Sequence, residues 1–335
     1  MNQDLISILI PFKNTELFLK ECLNSIIAQD HDNWELLIVD DHSTDNSFEL
    51  VFAFAEKDKR IKLLKNTGEG IIHALRLAFS KSKGSYITRM DSDDIMHSAK
   101  LSTMLADLKH HGRHHIALGL VKYFNENGLG DGYARYESWL NALTQNGQNY
   151  TEIYKECVIP SPCWMVHLDD LVTCGGFEYN RYPEDYDLAF RFYKHKMACI
   201  PSQDVLHYWR DYNERTSRTD DHYAENNFLE LKIDYFKELN YDVSRPLVIW
   251  GAGQKGKQVA KLLKLKKIDF IWVCDNPKKI GKHIYDVVLY SFKHLKTLEQ
   301  PQCIVTVANP VSQAEIRLVL EALQMKNMTD YFFFC

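Results

Sequence analysis

The 335-residue sequence predicts an α/β protein in two parts: a mostly parallel sheet flanked by helices over residues 1–241, and a small second α/β domain over 246–335. Three observations predict it. Short apolar runs alternate with segments whose apolar residues recur at helical spacing, as where residues 5–10 are followed by Leu17, Leu19, Cys22, Leu23, Ile26 and Ile27. Two of these runs end in acids, Asp40-Asp41 and Asp91-Ser92-Asp93-Asp94, and such strand ends are where open α/β sheets keep ligands. A later strand-like run, 247–250, opens directly into Gly251-Ala252-Gly253-Gln254-Lys255-Gly256 and another helical pattern.

The composition is that of a soluble globular chain, 45% hydrophobic and 25% charged, long enough for one large core or two ordinary ones. A net charge of −5 argues against a protein-wide basic surface, so nucleic acid held by bulk charge is disfavoured as a partner, while a local patch is left undecided. No apolar run approaches the length of a transmembrane span, and the start MNQDLISILIPF lacks the basic region and cleavage site of a signal peptide. The expected location is cytoplasmic. Eight cysteines without a CxxC pair fit reduced thiols better than a disulfide or zinc framework.

In chain order, residues 5–10 predict a buried parallel strand that Pro11 stops, emptying into Phe12-Lys13-Asn14. Helical spacing over 15–28 follows. Residues 35–39 are the second strand, ending in Asp40-Asp41-His42-Ser43-Thr44-Asp45 ahead of a helix over about 48–55. A third strand at 61–64, a turn at Asn66-Thr67-Gly68-Glu69-Gly70 and a helix through Phe79 lead to the β-favouring Ser85-Tyr86-Ile87-Thr88. The alternation implies right-handed βαβ units, which bring both acidic ends to one edge of one sheet.

Asp91, Asp93 and Asp94 arrive there together. Carboxylates so crowded must be protonated, paired or shared by a cation, and a hard divalent ion with oxygen ligands suits the last option. The competing reading makes Ser92 or Asp93 the cap of a helix over 95–110, with the acids favouring its dipole. His110, His111, His114 and His115, with Gly112 and Arg113 among them, read as a solvated turn rather than a metal site, and 137–143 as a further helix.

Ile8-Leu9-Ile10-Pro11-Phe12-Lys13-Asn14, then Ile38-Val39-Asp40-Asp41-His42-Ser43-Thr44-Asp45, the run from Gly70 to Leu77, and Gly84-Ser85-Tyr86-Ile87-Thr88-Arg89-Met90-Asp91-Ser92-Asp93-Asp94 resemble, in order and spacing, the GT-A fold family 2 glycosyltransferases. The resemblance implies a nucleotide-diphospho-sugar transferase fold and assigns positions within it. Pro11, Phe12 and Asn14 in the first strand loop, with Asp40 and Asp41, would hold the nucleoside of the donor. Asp91 and Ser92 would serve its ribose side, and Asp93 with Asp91 would hold Mn²⁺ or Mg²⁺ against its diphosphate. Such an ion neutralises a leaving group that gains charge as the glycosidic bond breaks.

Ile159-Pro160-Ser161-Pro162-Cys163-Trp164-Met165, Gly175-Gly176-Phe177 and Tyr182-Pro183-Glu184-Asp185-Tyr186-Asp187-Leu188 resemble the acceptor half of the same family. By that resemblance Asp185 is the general base and Glu184 its neighbour. An inverting transfer needs one carboxylate to take the acceptor hydroxyl proton while that oxygen attacks the anomeric carbon. Helix capping, with Asp187 a surface acid, is the alternative, since Pro183 favours a helix start. Further on, the resemblance makes His207 a metal ligand, against the commoner packed histidine. It gives Arg210, Arg215 and Arg218 a grip on the diphosphate, against pairing with Asp211, Glu214, Asp220 or Asp221.

Asn240 to Arg245 reads as a linker. Strands at 247–250, 270–274 and 304–307, with helices through Leu265 and over 312–323, predict a small Rossmann-like domain in which Gly251, Gly253, Gly256 and Asp275 form a candidate second nucleotide site. About ninety residues are only half of a full dinucleotide fold, and no hydride-transfer partner is evident. A structural or homodimerising role therefore competes. With IWGAGQKGK and CDNP included, the whole chain resembles a two-domain subgroup of family 2 similar to β-1,3-N-acetylglucosaminyltransferase-like proteins, some animal relatives of which act on a modified tRNA nucleoside.

The sequence thus reads as a metal-dependent inverting glycosyltransferase, hexosyl- or N-acetylhexosaminyl-transferring. It would move a sugar from a nucleotide-diphosphate donor, by preference a UDP-sugar, to a saccharide or other hydroxyl acceptor in glycan or polysaccharide synthesis. Three other readings compete: a transferase acting on a modified tRNA nucleoside, a non-catalytic nucleotide-sugar binding protein, and an oxidoreductase built on 246–335.

Overall fold

β1 (Ile6–Phe12) is apolar at nearly every position and almost wholly buried, so it needs cover on both faces. After it come α1 (Glu16–Ile27), β2 (Trp34–Asp40), α2 (Ser47–Lys57), β3 (Ile61–Lys65), α3 (Ile71–Lys81) and β4 (Tyr86–Arg89), the alternation that the apolar spacing predicts. The computed structural model describes residues 4–125, 128–213, 215 and 228–335. They fall into two compact units, the described residues of 4–150 with 158–215, and 151–157 with 228–335. The helix Leu229–Leu239, expected in a first domain ending at 241, groups with the second unit.

The first unit continues with β5 (Ile95–Met96), α4 (Lys100–His111), β6 (His115–Leu118), β7 (Leu120–Phe124), α5 (Asp131–Asn146), β8 (Trp164–His167), α6 (Leu168–Thr173), α7 (Glu184–Lys194), β9 (Ala198–Ile200) and β10 (Val205–Arg210). Its main sheet runs β3-β2-β1-β4-β8-β6-β9, and β5-β10-β7 forms a second sheet. From β3 to β4 the strands are parallel, and β8 runs antiparallel between β4 and β6. Because β2 and β3 lie on one side of β1 and β4 on the other, the loops after β1 and β4 part at their carboxyl ends. The register sets Phe12 beside Asp40 and Leu9 beside Arg89, which lines up the loops that carry the acids.

Ile8, Ile10, Leu36 and Ile38 from the sheet pack with Leu19, Leu23 and Ile26 of α1, all fully buried. Each such side chain contributes roughly 1.5–3 kcal/mol by leaving water, which holds the strand ends in fixed positions.

The helix expected over 95–110 begins at Lys100 instead, with Ala99 before its first turn. The capping role for Ser92 or Asp93 is therefore overturned. Asp94 turns inward to accept hydrogen bonds from β10, and Ile95 and Met96 are drawn into antiparallel pairing opposite Tyr208 and His207. The helix expected at 137–143 extends over Asp131–Asn146. His110 and His111 end α4 and His115 opens β6, so the expected turn is confined to 112–114.

The second unit holds α8 (Leu229–Leu239), β11 (Leu247–Trp250), α9 (Gln254–Leu265), β12 (Ile271–Cys274), β13 (His283–Ile284), β14 (Val287–Ser291), β15 (Gln302–Val305), α10 (Pro310–Ala322) and β16 (Tyr331–Phe333). Its sheet runs β13-β14-β12-β11-β15-β16, parallel from β14 to β16 with β13 antiparallel at the edge. Val248, Trp250, Val273, Val305, Ile316 and Leu320 centre its core. A Cβ at Gly256 would lie 2.1 Å from the Gly251 carbonyl oxygen, so α9 approaches the end of β11 closely enough that only glycine fits. All eight cysteines are buried and free of disulfides.

Candidate active site

The loops after β1 and β2 are clipped together by their own polar side chains. Asn14, at φ 53°, donates its N–H to Ser43 Oγ at 3.1 Å and accepts the Thr44 N–H on Oδ1 at 2.7 Å. The Phe12 carbonyl accepts the Asp41 N–H at 2.8 Å, and Pro11, half-buried, lies inside β1 opposite Val39 rather than ending the strand as its ring led one to expect. The two acids after β2 differ in commitment. Asp40 accepts the Ser43 N–H on Oδ1. Asp41 is taken up by the turn ahead of α3, receiving the Asn66 side-chain amide at 2.6 Å and the Gly70 N–H at 3.1 Å.

The acids after β4 stand against this loop and against β10. Ser92 Oγ lies 3.1 Å from Thr15 Oγ1, fixing the segment to the entrance of α1. Asp93 keeps part of its surface accessible and receives the Tyr212 hydroxyl on Oδ2 at 2.9 Å. Loss of water, then the charges of Asp94 and Asp91, push Asp93 up to about 7. Asp94 is fully buried, and burial followed by the Asp91 charge raises it too.

The interior side of Asp94 holds a chain of three residues. Asp94 Oδ1 accepts the Arg210 backbone N–H at 2.8 Å, and Oδ2 lies 2.8 Å from His207 Nε2. His207 Nδ1 in turn lies 3.4 Å from the Lys100 ammonium, which also donates to the Pro162 carbonyl at 2.6 Å. Burial, then Lys100, depress His207 well below the usual imidazole range, so it is neutral. An ammonium can only donate, so Nδ1 accepts and Nε2 carries the proton toward Asp94. Both ring nitrogens, including the one expected to ligate a metal, are thus engaged within the protein, where His207 forms a buried link between Asp94 and Lys100.

Arg210 is also committed. Its Nε donates to the Asp93 carbonyl at 2.7 Å, its Nη2 pairs with Glu21, and its guanidinium lies 4.8 Å and 4.6 Å from the rings of Phe18 and Phe124. It holds the acidic loop in place. Arg215 stacks 5.0 Å from the Trp209 ring. Burial lowers its pKa, but Tyr123, Asp94, Asp93 and Asp91 more than offset this and hold it above the ordinary guanidinium range. Arg218 lies outside the described residues.

α7 begins at Glu184, directly after Pro183, and brings the second acidic pair to the same edge. Arg89, at the end of β4 and 5% exposed, joins the two: one terminal nitrogen lies 3.1 Å from Asp91 Oδ1 and the other 2.9 Å from Glu184 Oε1. Asp185 keeps part of its surface accessible and accepts the Tyr186 N–H at 2.7 Å. Burial, then the Glu184 charge, push it up to about 7, with Arg89 pulling the other way. Asp187, the expected surface acid, is buried and pairs with Arg191 at 2.8 Å. The loop before α7 is pinned from two sides, Arg191 donating to the carbonyls of Cys174 and Gly176 and Arg76 to that of Phe177.

The acid of the glycine-rich segment in the second unit is occupied by its own neighbour. Asp275 Oδ2 accepts the Trp250 indole N–H at 2.8 Å, and the Lys279 ammonium donates to the Ala252 carbonyl at 2.7 Å. Gly251, at φ +123°, and Gly253 shape the turn into α9. Among the described residues no three His, Cys, Asp or Glu side chains converge into a group that could hold a metal ion.

Sequence reasoning missed Arg89, Lys100, Tyr212, Asn66 and the inward role of Asp94. Arg89 stands inside the motif that carries the acids, two residues before Asp91, and its proximity to them was the available signal. For Lys100 and Tyr212 nothing local distinguishes them from surface residues.

Residues 7–172 match the family model described as glycosyl transferase family 2. An uncharacterized glycosyltransferase of Haemophilus influenzae is 41% identical over 106 residues, which is 31% of this chain and 42% of that protein. Glycosyltransferase GlyG of Streptococcus pneumoniae is 40% identical over 102 residues, 30% of this chain and 34% of that protein. The chain thus spans less than half the length of these curated relatives. Among solved structures, S. aureus TarS 1–349 in complex with UDP-GlcNAc has a TM-score of 0.53 at 17% identity, covering 77% of this chain and 71% of that one. The mannosyltransferase PcManGT from Pyrobaculum calidifontis, in complex with GDP-Man and Mn²⁺, gives 0.53 at 18% identity over 70% and 63%. At these identities the likeness shows a shared fold.

Proposed function

We propose, from the match of residues 7–172 to the glycosyl transferase family 2 model, that this chain transfers a sugar with inversion from a nucleoside diphosphate donor, a UDP-sugar, to a hydroxyl acceptor such as a saccharide. The observation that carries the reading is the Arg89 bridge. Through it the acids after β4, suited to a donor, and the acid pair opening α7, suited to a base, occupy one edge of one sheet. That two fold neighbours were solved with UDP-GlcNAc and with GDP-Man supports a nucleotide-sugar as the ligand.

Each residue then has a task. Asp40 and the loop of Pro11, Phe12 and Asn14 face the nucleoside, while Asp41 holds the turn that shapes its pocket. Asp185 takes the proton of the acceptor hydroxyl as that oxygen attacks the anomeric carbon and the bond to the diphosphate breaks. A pKa near 7 suits a base that must be ionised and still accept a proton close to neutrality. Glu184, held by Arg89, raises the pKa of its neighbour Asp185, and Arg215, under the charges of the acids after β4, would be a cation for the departing diphosphate. Asp93 and Asp91, the two acids after β4 that keep accessible surface, would hold a hard divalent ion together with the donor's own oxygens. Mn²⁺ or Mg²⁺ held there would supply charge neutralisation on the leaving group.

A thermal-shift screen of UDP-, GDP- and dTDP-sugars with Mn²⁺ identifies the donor, since selective binding raises stability by mass action. Donor turnover should then require the divalent ion and be lost in Asp93→Ala. Full turnover after chelation and in that variant contradicts the reading.

A further inference from the structure

Charge is unevenly distributed along the chain. Residues 246–335 carry twelve lysines and one arginine against seven acids, a formal +6, so with −5 overall the preceding 245 residues hold −11. Part of that excess is gathered on one surface. Lys257, Lys261 and Lys264 are exposed and recur at i, i+4 and i+7 along α9, which puts them on one face. The face borders the turn between β13 and β14. The Lys261 ammonium lies 5.2 Å from the Tyr285 ring centre, and Lys264 donates to the Tyr285 carbonyl at 2.6 Å. Lys282, also exposed, flanks the same hairpin, its carbonyl accepting the Leu289 N–H.

Among the described residues the one acid paired with these four lysines is Asp286, 3.8 Å from Lys264 and fully exposed. Like charges a helical turn apart repel and destabilise a helix, so the fold gains nothing from the spacing. Exposed apolar side chains stand close in the chain to these lysines. Leu265, four residues after Lys261, is 75% exposed, and Ile280, two before Lys282, is 39% exposed. Ammonium groups around protruding aliphatic tips match the boundary of an anionic bilayer, where lysines meet headgroups and apolar side chains enter the acyl region. Nucleic-acid surfaces favour arginine forks for phosphate, and this face has no arginine.

We propose that the second unit carries a docking surface for anionic phospholipid membranes, formed by Lys257, Lys261, Lys264 and Lys282 around Leu265 and Ile280. Among the described residues no helix is long and apolar enough to cross a membrane, so attachment through this face is peripheral. Being electrostatic, it weakens as salt rises.

Flotation of the full chain with vesicles of phosphatidylcholine and phosphatidylglycerol tests this. The expected result is salt-sensitive binding to these vesicles and none to pure phosphatidylcholine. The triple variant Lys257→Gln/Lys261→Gln/Lys282→Gln should bind about a hundredfold more weakly, since each lysine near an anionic surface contributes about fivefold. Leu265→Ser should weaken binding while keeping its salt dependence. All four side chains are exposed, so both variants should melt with the parent, and a thermal scan verifies that. Equal binding to neutral vesicles, or an unaffected triple variant, overturns the proposal. So does retention of a structured RNA in a gel shift without binding to anionic vesicles, which would assign the face to nucleic acid.

Discussion

Replacing Arg89 by methionine severs a side chain that joins the donor acids to the base helix. Arg89 is 5% exposed, and its terminal nitrogens lie 3.1 Å from Asp91 and 2.9 Å from Glu184, a residue 8% exposed. Removing one partner from a buried ion pair costs about 3–5 kcal/mol, because the remaining charge has lost both water and its partner. Asp91 retains 22% of its side-chain exposure and is partly relieved by solvent, so the expected loss in urea unfolding is about 3 kcal/mol. The double variant Arg89→Met/Glu184→Gln should lose less than the two single losses together, since it leaves no unpaired Glu184.

The pH dependence adds a signed test. Burial and the Glu184 charge raise the pKa of Asp185, and Arg89 lowers it. Arg89→Met therefore raises it further, while Glu184→Gln brings it down. A base works only when ionised, so the acid limb of turnover moves to higher pH in the first variant and to lower pH in the second. Initial rates of nucleotide release from the donor across the neutral range read both limbs. Shifts in the same direction, or no shift in either variant, would refute the Arg89 link.

Two further substitutions probe the scaffold. His207→Phe leaves Lys100 and Asp94 buried without their bridge, and a loss of about 3–5 kcal/mol in urea unfolding is expected; a loss below about 1 kcal/mol would mean the chain of three contributes little. Gly256→Ala forces a Cβ to within 2.1 Å of the Gly251 carbonyl oxygen, so the unfolding midpoint should drop by about 1–3 kcal/mol equivalent. An unchanged midpoint would show that α9 can move aside freely.

What could be read from sequence follows from how local each determinant is. β2 is a largely apolar run and β4 a β-favouring one, and the acids at their ends lie where a parallel sheet must place them, so the arrival of Asp40, Asp91 and Asp93 at one sheet edge was legible. Asp94 was not, because its role depends on His207, 113 residues later, and on Arg210. A histidine after an apolar run looks the same whether it faces a cation or the core, and only burial shows that His207 faces the core. Arg210 has the chemistry of a phosphate ligand, yet its Nε donates to a backbone carbonyl that the sequence could not place nearby. Asp41 likewise meets the Gly70 N–H through a turn whose closure is a property of the fold. The α7 pair was legible because Pro183 fixes where that helix starts.

The central claim is that Asp185 is the base of a transfer from a nucleotide-sugar, and Asp185→Asn addresses it most directly. The side chain keeps its shape and its contact to Tyr186 but cannot take a proton. With Mn²⁺ present, donor affinity should stay within about twofold of the parent, while turnover falls by about 10²–10⁴-fold. Turnover equal to the parent's would contradict the claim.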